Sequence, residues 1–374
     1  MAGRHHLFFW GRKKPSVPNE IRRDNHWVPI SYLAPFTNTG TEDGLLTIYD
    51  REDPNRSPPL QLPPRGIAFE RDLYVVLGTD GKRDDTLERA LAEHIEAPFV
   101  GIRNILAFGN GVGIRPVLTA AQLAELALFI AVQQLRTPAH RSDIEAMMKF
   151  QGALVARAGV LSSRAAESYR HVTGKELTEE HRRETLRNLD EGHIVPKVNP
   201  KFWLRFLGEA IWKLADLIVE LPFTVARAPV GLEFVCCDTP VVLATRMDDG
   251  EYRLGGGWLD PRAEITVPLS PSALLVFGPV ANDPNRIRAD PWLSLVRERT
   301  IAAAKRWVYA PSPDPEVSRI LSRTRAPRSA LYYPGGVYRS GDDAAAAVRD
   351  MMNKNPGEAT LIFGPDWTEP STGF

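Results

Sequence analysis

The spacing of hydrophobic positions changes from helical to strand-like about three fifths of the way along the chain. In the middle, apolar residues recur at spacings of three and four, as in Trp203, Leu207 and Ile211, which predicts amphipathic helices that face a core. From Pro222 the apolar runs are short and are divided by Gly, Pro and Asp, which predicts strands. Helices followed by strands predict an α+β fold, in which a bundle-like helical region packs on a mostly antiparallel or mixed β-sheet.

These elements are expected to form one large α+β domain over residues 24–325. The helical part covers about 85–221, and the β-rich part covers about 222–310 together with strands near the N-terminus. A chain of 374 residues exceeds the roughly 250–300 residues at which a single core stops growing. Residues 1–23 are predicted to be a flexible lead segment, and residues 326–374 a loose tail.

Helix boundaries in the middle of the chain are marked by capping residues. Thr119 is a good N-cap for a helix that Pro138 interrupts, and Thr137 can cap a new helix that runs to about Arg157. Further helices are predicted at about 161–173, 178–189, 200–220, 291–305 and 315–323. Strands are predicted at 45–50, 223–227, 232–236, 241–245, 251–254, 265–269, 273–277 and 307–310.

Composition indicates an ordinary globular protein. Apolar residues make up 43% and charged residues 25% of the chain, and 46 basic side chains balance 46 acidic ones. This balance removes the whole-molecule electrostatic argument for nucleic acid or an anionic membrane as a partner. No apolar run reaches the roughly 18–20 residues that cross a bilayer. Cys236 and Cys237 are adjacent in a strand-like run, so they are expected to be buried free thiols in a reducing cytoplasm.

Three short segments place polar side chains that are expensive to bury beside strongly apolar neighbours. They are Asn25–Phe36, Gln133–Arg141 and Cys237–Pro240. Each buried polar group must find a partner, a ligand or water. These segments are therefore the candidate functional regions.

The second segment aligns polar groups on one side of a helix. Gln133, Arg136 or Thr137, and His140 stand at positions i, i+3 or i+4, and i+7. A half-buried arginine nearly always meets acceptors. Two interpretations stay open for Arg136, an ion pair with an acid such as Asp238 or the binding of an anionic ligand.

The first and third segments supply a histidine, a tyrosine and a carboxylate. His26 is suited to proton transfer near neutral pH, although a histidine beside Trp27 can equally be a hydrogen-bonded structural group. Tyr32 could orient a ligand or satisfy its hydroxyl at the edge of the core. Asp238 leaves an apolar strand just before Pro240, where it could serve a site or close an Asx-turn.

The ordered set of motifs resembles domain-of-unknown-function family 4238. It comprises His26-Trp27-Val28-Pro29-x-x-Tyr32-Leu33-x-x-Phe36, Gln133-x-x-Arg136-Thr137-Pro138-x-x-Arg141, Asp238-Thr239-Pro240-Val241 and Pro268-Leu269-Ser270-Pro271. The resemblance covers about residues 24–310. Trp27 stands where the family more often has tyrosine, and Asp238-Thr239-Pro240 replaces a more usual Ser-Asp-Asn-Pro. The resemblance implies no activity, because the function of the family is unassigned.

The first functional hypothesis is a hydrolase or transferase acting on a phosphate-containing substrate, such as a nucleotide or RNA. The expected catalytic residues are His26 as general acid/base and Asp238, and the expected substrate-binding residues are Tyr32, Gln133, Arg136, His140 and Arg141. Arg136 and Arg141 would neutralise the phosphate, and Asp238 would orient His26 or an attacking water. Mixed arginine, histidine and acid in apolar surroundings are typical of active sites.

Two other classes of function stay open. The same residues could bind a small anionic ligand without chemistry, or they could form a buried Arg136–Asp238 network that only holds the fold together. No metal or cofactor is expected, because the sequence has no His-Glu-x-x-His or Cys-x-x-Cys motif. Asp260 and Glu264 weakly resemble a nuclease pair, but Thr266 stands where a lysine is needed, which favours a hydrogen-bonded acid.

Overall fold

A computed structural model describes residues 21–77, 82–108, 117–162, 164–195, 202–325, 331–333 and 336–338. The predicted N-terminal lead segment and C-terminal tail lie largely outside these ranges.

Helices dominate the middle of the chain. The α-helices are α1 (Ile30–Leu33), α2 (Thr86–Leu91), α3 (Ala97–Phe108), α4 (Ala120–Leu135), α5 (Pro138–Leu161), α6 (Ala165–Thr173), α7 (Glu179–Asp190), α8 (Phe202–Glu220), α9 (Asp290–Ala303) and α10 (Pro315–Arg323). A π-helical turn, Ala92–Glu96, joins α2 to α3. Short 3₁₀-helices occupy Ala34–Phe36, Pro64–Gly66 and Pro279–Asn282.

The strands form two main antiparallel sheets. The strands are β1 (Asp24–His26), β2 (Leu46–Asp50), β3 (Leu60–Leu62), β4 (Phe69–Arg71), β5 (Val76–Leu77), β6 (Arg83–Asp84), β7 (Phe223–Arg227), β8 (Cys236–Cys237), β9 (Val242–Arg246), β10 (Tyr252–Leu254), β11 (Ala263–Ser270), β12 (Ala273–Phe277), β13 (Trp307–Ala310), β14 (Leu331–Tyr333) and β15 (Gly336–Tyr338). The larger sheet has the order β10-β9-β11-β12-β7, and the smaller has the order β3-β2-β13-β8. Pairs β1–β4, β5–β6 and β14–β15 stand apart. The α+β prediction is confirmed, and all strand pairs among the described residues are antiparallel.

The two helix starts predicted from capping residues are present. The Thr119 side chain accepts a hydrogen bond from the Gln122 backbone N–H, and the Gln122 side chain accepts one from the Thr119 N–H, which forms a capping box. Thr137 caps α5, in which Pro138 is the first residue. Helix α5 ends at Leu161 rather than near Arg157, so the next helix begins later than predicted.

The larger sheet is covered on both faces. On β12, alternate residues contribute to two different hydrophobic clusters. Leu275 belongs to the main core formed with the helices of the middle region, whereas Leu274 and Val276 pack with residues of α9 such as Trp292. This double coverage explains why all of β12 is buried.

The smaller sheet separates the two cysteines. Cys236 faces the main core, and Cys237 faces the cluster that contains Val317 and Leu321 of α10. Both thiols are free and buried, as expected. The predicted strand at 232–236 is wrong in its extent, because only Cys236–Cys237 pairs with β13 and residues 232–235 have no regular secondary structure. Among the described residues, no helix is long and apolar enough to cross a membrane.

Candidate functional site

Parts of all three polar segments meet near the buried side chain of Arg136. The Gln133 side chain donates from Nε2 to the Trp27 backbone carbonyl at 2.7 Å, and this bond joins the first segment to the second. Thr239, from the third segment, lines a cavity together with Gln133 and His140. The structure therefore brings together segments that lie more than 200 residues apart in sequence.

Arg136 is paired with a carboxylate that the sequence analysis did not single out. It lies just after the last residue of α4 and is 1% exposed. Its Nη1 donates to Glu96 Oε1 at 2.7 Å, and its Nη2 donates to Gln133 Oε1 at 3.0 Å. Of the two interpretations of Arg136, the structure shows an ion pair with an acid, but the acid is Glu96 and not the candidate Asp238. Burial is the largest single influence and lowers the pKa of Arg136, but Glu96, Tyr74 and Glu88 together outweigh it, so that the pKa is raised overall.

The π-helical turn positions Glu96 for this contact. In this turn the Ala97 N–H donates to the Ala92 carbonyl five residues earlier, so one extra residue is fitted into the helix. Two turns of a regular α-helix take about seven residues, and here the insertion makes them eight. Glu88 and Glu96, which are eight residues apart, therefore share one helix face. Pro98 lies two residues after this turn, and because it lacks an N–H it cannot donate a helical hydrogen bond there.

Glu88 is the carboxyl group with the most perturbed acidity in this region. Burial and then repulsion from Glu96 raise the pKa of Glu88 to about 7, although Arg136 opposes the shift. At neutral pH, this group therefore exists in both protonated and ionised forms. That property is expected of a general acid or base.

His26 lies at the end of β1, directly opposite Phe69 on β4, and the two ring centroids are 5.4 Å apart. Burial lowers the pKa of His26, and a hydrogen bond to the Arg65 backbone and the charge of Glu96 partly oppose this. The imidazole is therefore neutral at pH 7. Among the described residues, its buried Nε2 atom has no hydrogen-bond partner.

Tyr74 completes the group of residues around Arg136. Its side chain is fully buried, and its backbone N–H donates to Asn25 Oδ1 at 3.0 Å. Burial raises the pKa of Tyr74, and its nearest charged neighbours include Arg136 and Glu88. We refer below to the Arg136 cluster, which consists of His26, Tyr74, Glu88, Glu96, Gln133 and Arg136.

Buried polar atoms without a protein partner are concentrated here. Within the described ranges, nine buried side-chain nitrogen or oxygen atoms make no hydrogen bond to protein. Five of them lie in or next to the Arg136 cluster: His26 Nε2, Trp27 Nε1, Tyr74 Oη, Arg136 Nε and His140 Nε2. Native proteins leave few such atoms, and each one calls for a water, an ion or a substrate group as its partner.

His140 borders a small cavity beside this cluster. The cavity has a volume of about 70 Å³, and Gln133, Thr137 and Thr239 contribute to its wall. Burial lowers the pKa of His140, whereas Asp143 opposes the shift. The cavity volume corresponds to roughly two or three water molecules at about 30 Å³ each. It can hold water or a small reacting group, but not a nucleotide.

Arg141 is held in a bidentate pair with Glu70. Its Nη1 and Nη2 atoms lie 3.0 and 2.9 Å from the two carboxylate oxygens, and Glu145 lies 4.0 Å from its Nε. The pair connects α5 to β4, the strand beside His26. An anion would bind to the guanidinium N–H groups of Arg141, and these are already paired with the Glu70 carboxylate.

Tyr32 lies inside the core, where it is fully buried. Its hydroxyl donates to the Pro268 backbone carbonyl, and its ring lies about 6 Å from those of Phe99 and Phe129. Of the two interpretations of Tyr32, these contacts favour the one in which its hydroxyl is satisfied structurally.

Asp238 binds backbone rather than a catalytic side chain. Its carboxylate accepts hydrogen bonds from the amides of Lys305, Arg306 and Trp307 at 2.8, 2.7 and 3.0 Å. Of the two interpretations of Asp238, these contacts do not form an Asx-turn, because the amides lie at least 67 residues further along the chain. Asp238 therefore fixes the connection between α9 and β13. No hydrogen bond among the described residues joins it to His26 or Arg136.

Glu264 is a hydrogen-bonded acid, as expected, and not part of a nuclease pair. It accepts hydrogen bonds from Arg286, Arg299, Tyr252 and Trp292. Asp260 is bound separately to Arg262. Among the described residues, no three His, Cys, Asp or Glu side chains are grouped so that they could hold a metal ion.

Comparison with known proteins identifies a family. A family model described as "Protein of unknown function (DUF4238)" matches residues 24–314. No curated protein and no solved structure matches the chain. The family match covers most of the sequence, including every residue of the Arg136 cluster. The chain belongs to the DUF4238 family.

Proposed function

We propose that this chain is an enzyme, a hydrolase or transferase, in which Glu88 and His26 transfer protons at the Arg136 cluster. The observation that carries the proposal is the concentration of unpaired buried polar atoms there, on His26, Tyr74 and Arg136. Such atoms stabilise a bound group by providing hydrogen bonds that protein does not already use. Their proximity to a carboxyl group with a pKa of about 7 is typical of a catalytic site.

In this proposal, the two titrating groups have complementary roles. Neutral His26 accepts a proton through Nε2, and protonated Glu88 donates one. Environments that move the pKa values of neighbouring groups apart commonly define the base and the acid of a site. Glu96 keeps the buried Arg136 guanidinium in place, and that positive charge would stabilise negative charge that develops on the substrate.

The proposed substrate class is a phosphate-containing molecule, with only its reacting group entering the site. The cavity beside Gln133, about 70 Å³, suits an attacking water or a terminal group. A nucleotide or RNA would lie outside it, and a phosphate would have to compete with Glu96 and Glu70 for Arg136 and Arg141. We propose a cytoplasmic location, which is compatible with the free thiols of Cys236 and Cys237.

The direct test compares His26→Ala with His193→Ala. His193 is an exposed histidine, with 68% of its side chain accessible, and is the matched control. Turnover would be measured with bis(p-nitrophenyl) phosphate, p-nitrophenyl phosphate and a single-stranded RNA, alongside the melting temperature. The expected result is loss of turnover in His26→Ala with little change in melting temperature. Equal loss of activity and folding would mean that His26 is structural.

A second candidate is a structural network without chemistry. It is favoured by the contacts through which Gln133 links Arg136 to the Trp27 backbone, because both ends of this amide are already bound to protein. The double change Arg136→Met/Glu96→Leu distinguishes the two. Retained function in a folded double variant would support the structural role, whereas lost function would support catalysis. A ligand that binds to wild type and is recovered chemically intact would instead indicate a binding module.

A further inference from the structure

A second cavity lies at the opposite end of β9 from the Arg136 cluster. Val241, just before this strand, lines the first cavity, and Arg246, its last residue, lines the second. Five residues of extended chain separate them, or roughly 16 Å at about 3.3 Å per residue. The second cavity has a volume of about 310 Å³. It is therefore a distinct site, and it does not depend on the function proposed above.

Three arginines contribute to the wall of this cavity: Arg246, Arg262 and Arg286. The carboxylates on the same wall are Asp248 and Glu264. The wall therefore carries one more positive charge than negative charge. A concave surface with this imbalance attracts anions.

Strand register brings two of these arginines together. In the β9–β11 pairing, Thr245 stands opposite Ala263, so Arg246 stands opposite the next position, Arg262. The Arg246 N–H donates to the Arg262 carbonyl at 3.2 Å. Like charges directly opposite each other on neighbouring strands are destabilising. Such a pair needs negative charge nearby.

The protein neutralises these arginines unequally. Arg262 lies 3.2 Å from Asp260 and 3.6 Å from the exposed Asp248. In contrast, the exposed Arg246 side chain forms no ion pair or hydrogen bond with any described residue. Among the three arginines on the cavity wall, Arg246 is therefore the one without a carboxylate partner among the described residues.

Arg286 shares the Glu264 carboxylate with Arg299. Its Nη2 lies 2.6 Å from Glu264 Oε1, and the buried Arg299 lies 3.0 Å from the other oxygen. Burial lowers the pKa of Arg286, and the charges of Arg246 and Arg299 lower it further. One carboxylate thus serves two guanidinium groups, and a bound anion would relieve the remaining repulsion.

We propose that this cavity binds a small phosphate monoester, and that the guanidinium groups of Arg246 and Arg286 donate hydrogen bonds to its phosphate oxygens. Guanidinium groups bind phosphate oxygens in bidentate geometry. The volume of about 310 Å³ equals roughly ten water molecules at about 30 Å³ each. That is more than an inorganic phosphate fills, and it lies at the lower end of the size range of small-molecule sites.

The test is isothermal titration calorimetry at low ionic strength with ribose 5-phosphate and inorganic phosphate as probes. Arg246→Gln is the test variant, and Arg253→Gln is the matched control. Arg253 is also exposed and stands opposite Thr245, so its side chain projects from the other face of the same sheet. Both are surface changes for which an unchanged melting temperature is expected.

The expected result is that wild type binds ribose 5-phosphate more tightly than inorganic phosphate. Arg246→Gln weakens binding about tenfold, which corresponds to about 1.4 kcal/mol, and Arg253→Gln changes it less than about twofold. Absence of binding at millimolar concentrations, or equal losses in both variants, would overturn the proposed site. Equal affinity for the two probes would overturn the assignment to a monoester.

A further arm separates this proposal from the proposed function. The Glu88→Gln variant is expected to bind ribose 5-phosphate as wild type does, because Glu88 belongs to the other site. If Glu88→Gln and Arg246→Gln weaken binding equally, the second cavity is not an independent site. If Glu88→Gln loses turnover but binds ribose 5-phosphate as wild type does, the result supports both the proposed function and an independent second site.

Discussion

Glu88 and Glu96 lie on one face of a helix, two turns apart, because a π-helical turn inserts a residue between them. This arrangement gives two carboxyl groups different roles beside one guanidinium. Glu96 takes the Arg136 ion pair at 2.7 Å, whereas Glu88 stays half-buried next to a like charge. The pKa of Glu88 is raised to about 7 as a result.

The first prediction concerns the pH dependence of stability in Glu88→Gln. In wild type, the pKa of Glu88 is higher in the folded state, about 7, than its ordinary value of 4.5. Between these pH values the folded state binds more protons, so its free energy of unfolding falls as pH rises, by up to about 1.4 kcal/mol per pH unit. Glu88→Gln should remove this loss and raise the melting temperature at pH 8 by a few degrees, with little gain at pH 4.5.

Glu93→Gln is the control for this measurement, because Glu93 lies in the neighbouring π-helical turn but is exposed. It is expected to follow the wild-type melting curve from pH 4.5 to 8. A Glu88→Gln profile parallel to that of wild type would mean that Glu88 does not titrate in this range.

The type and position of most elements could be predicted from the sequence, because the signals are local. The capping residues Thr119 and Thr137 fix two helix starts by hydrogen bonds to amides three residues away. The sequence predicts the strand Ala273–Phe277 with its observed bounds, because turn residues flank a short apolar run. Such features need no knowledge of the rest of the fold.

The partners of the buried charges could not be predicted, because they depend on contacts distant in sequence. A regular helix would place Glu88 and Glu96 about 80° apart around its axis. The sequence therefore gives no reason to expect that both carboxylates face Arg136. Pro98 inside a helical pattern was the only local signal of an irregular turn. Likewise, nothing in the sequence near Asp238 indicates that its carboxylate accepts hydrogen bonds from the amides of residues 305–307.

The second prediction concerns Asp238→Ala. This change leaves three amide donors, on Lys305, Arg306 and Trp307, without the carboxylate that they share. An unsatisfied buried donor costs about 1–3 kcal/mol, and these three bonds are only partly buried. The variant should therefore lose about 1–3 kcal/mol in total in the free energy of unfolding measured by urea denaturation. Hydrogen exchange at these three amides should accelerate more than at the remaining amides of β13, those of residues 308–310.

Asp216→Ala is the control for Asp238→Ala, since Asp216 is exposed on α8 and its change is expected to stay within about 0.5 kcal/mol. If Asp238→Ala were as stable as this control, the carboxylate would have no structural role, and its predicted catalytic role would gain support.

The third prediction is an asymmetric double-mutant cycle at Arg136 and Glu96. Glu96→Leu leaves a fully buried guanidinium unpaired and should cost about 3–5 kcal/mol. Arg136→Met should cost less, because the Glu96 side chain is 21% exposed and can be hydrated. The double variant should recover part of the loss, as measured by urea denaturation.

The exposed Arg157–Asp190 pair provides a control cycle, in which the coupling energy is expected to be below about 1 kcal/mol. A coupling energy that small between Arg136 and Glu96 would contradict the buried ion pair.

The fourth prediction concerns the charge state of His26. Burial lowers its pKa below the ordinary 6.5, and Glu96 opposes this shift, so Glu96→Gln should lower the pKa of His26 further. Nuclear magnetic resonance titration of the His26 imidazole in wild type and in Glu96→Gln measures both pKa values. Because the unfolded chain binds more protons than the folded state below pH 6.5, the contribution of His26 to stability is lost as pH falls through this range. A His26→Phe variant should lose less stability than wild type between pH 7 and 5. A His26 pKa above about 7 would mean that the imidazole is mostly protonated at neutral pH and cannot be the proposed base. A pKa unmoved by Glu96→Gln would mean that Glu96 does not act on it.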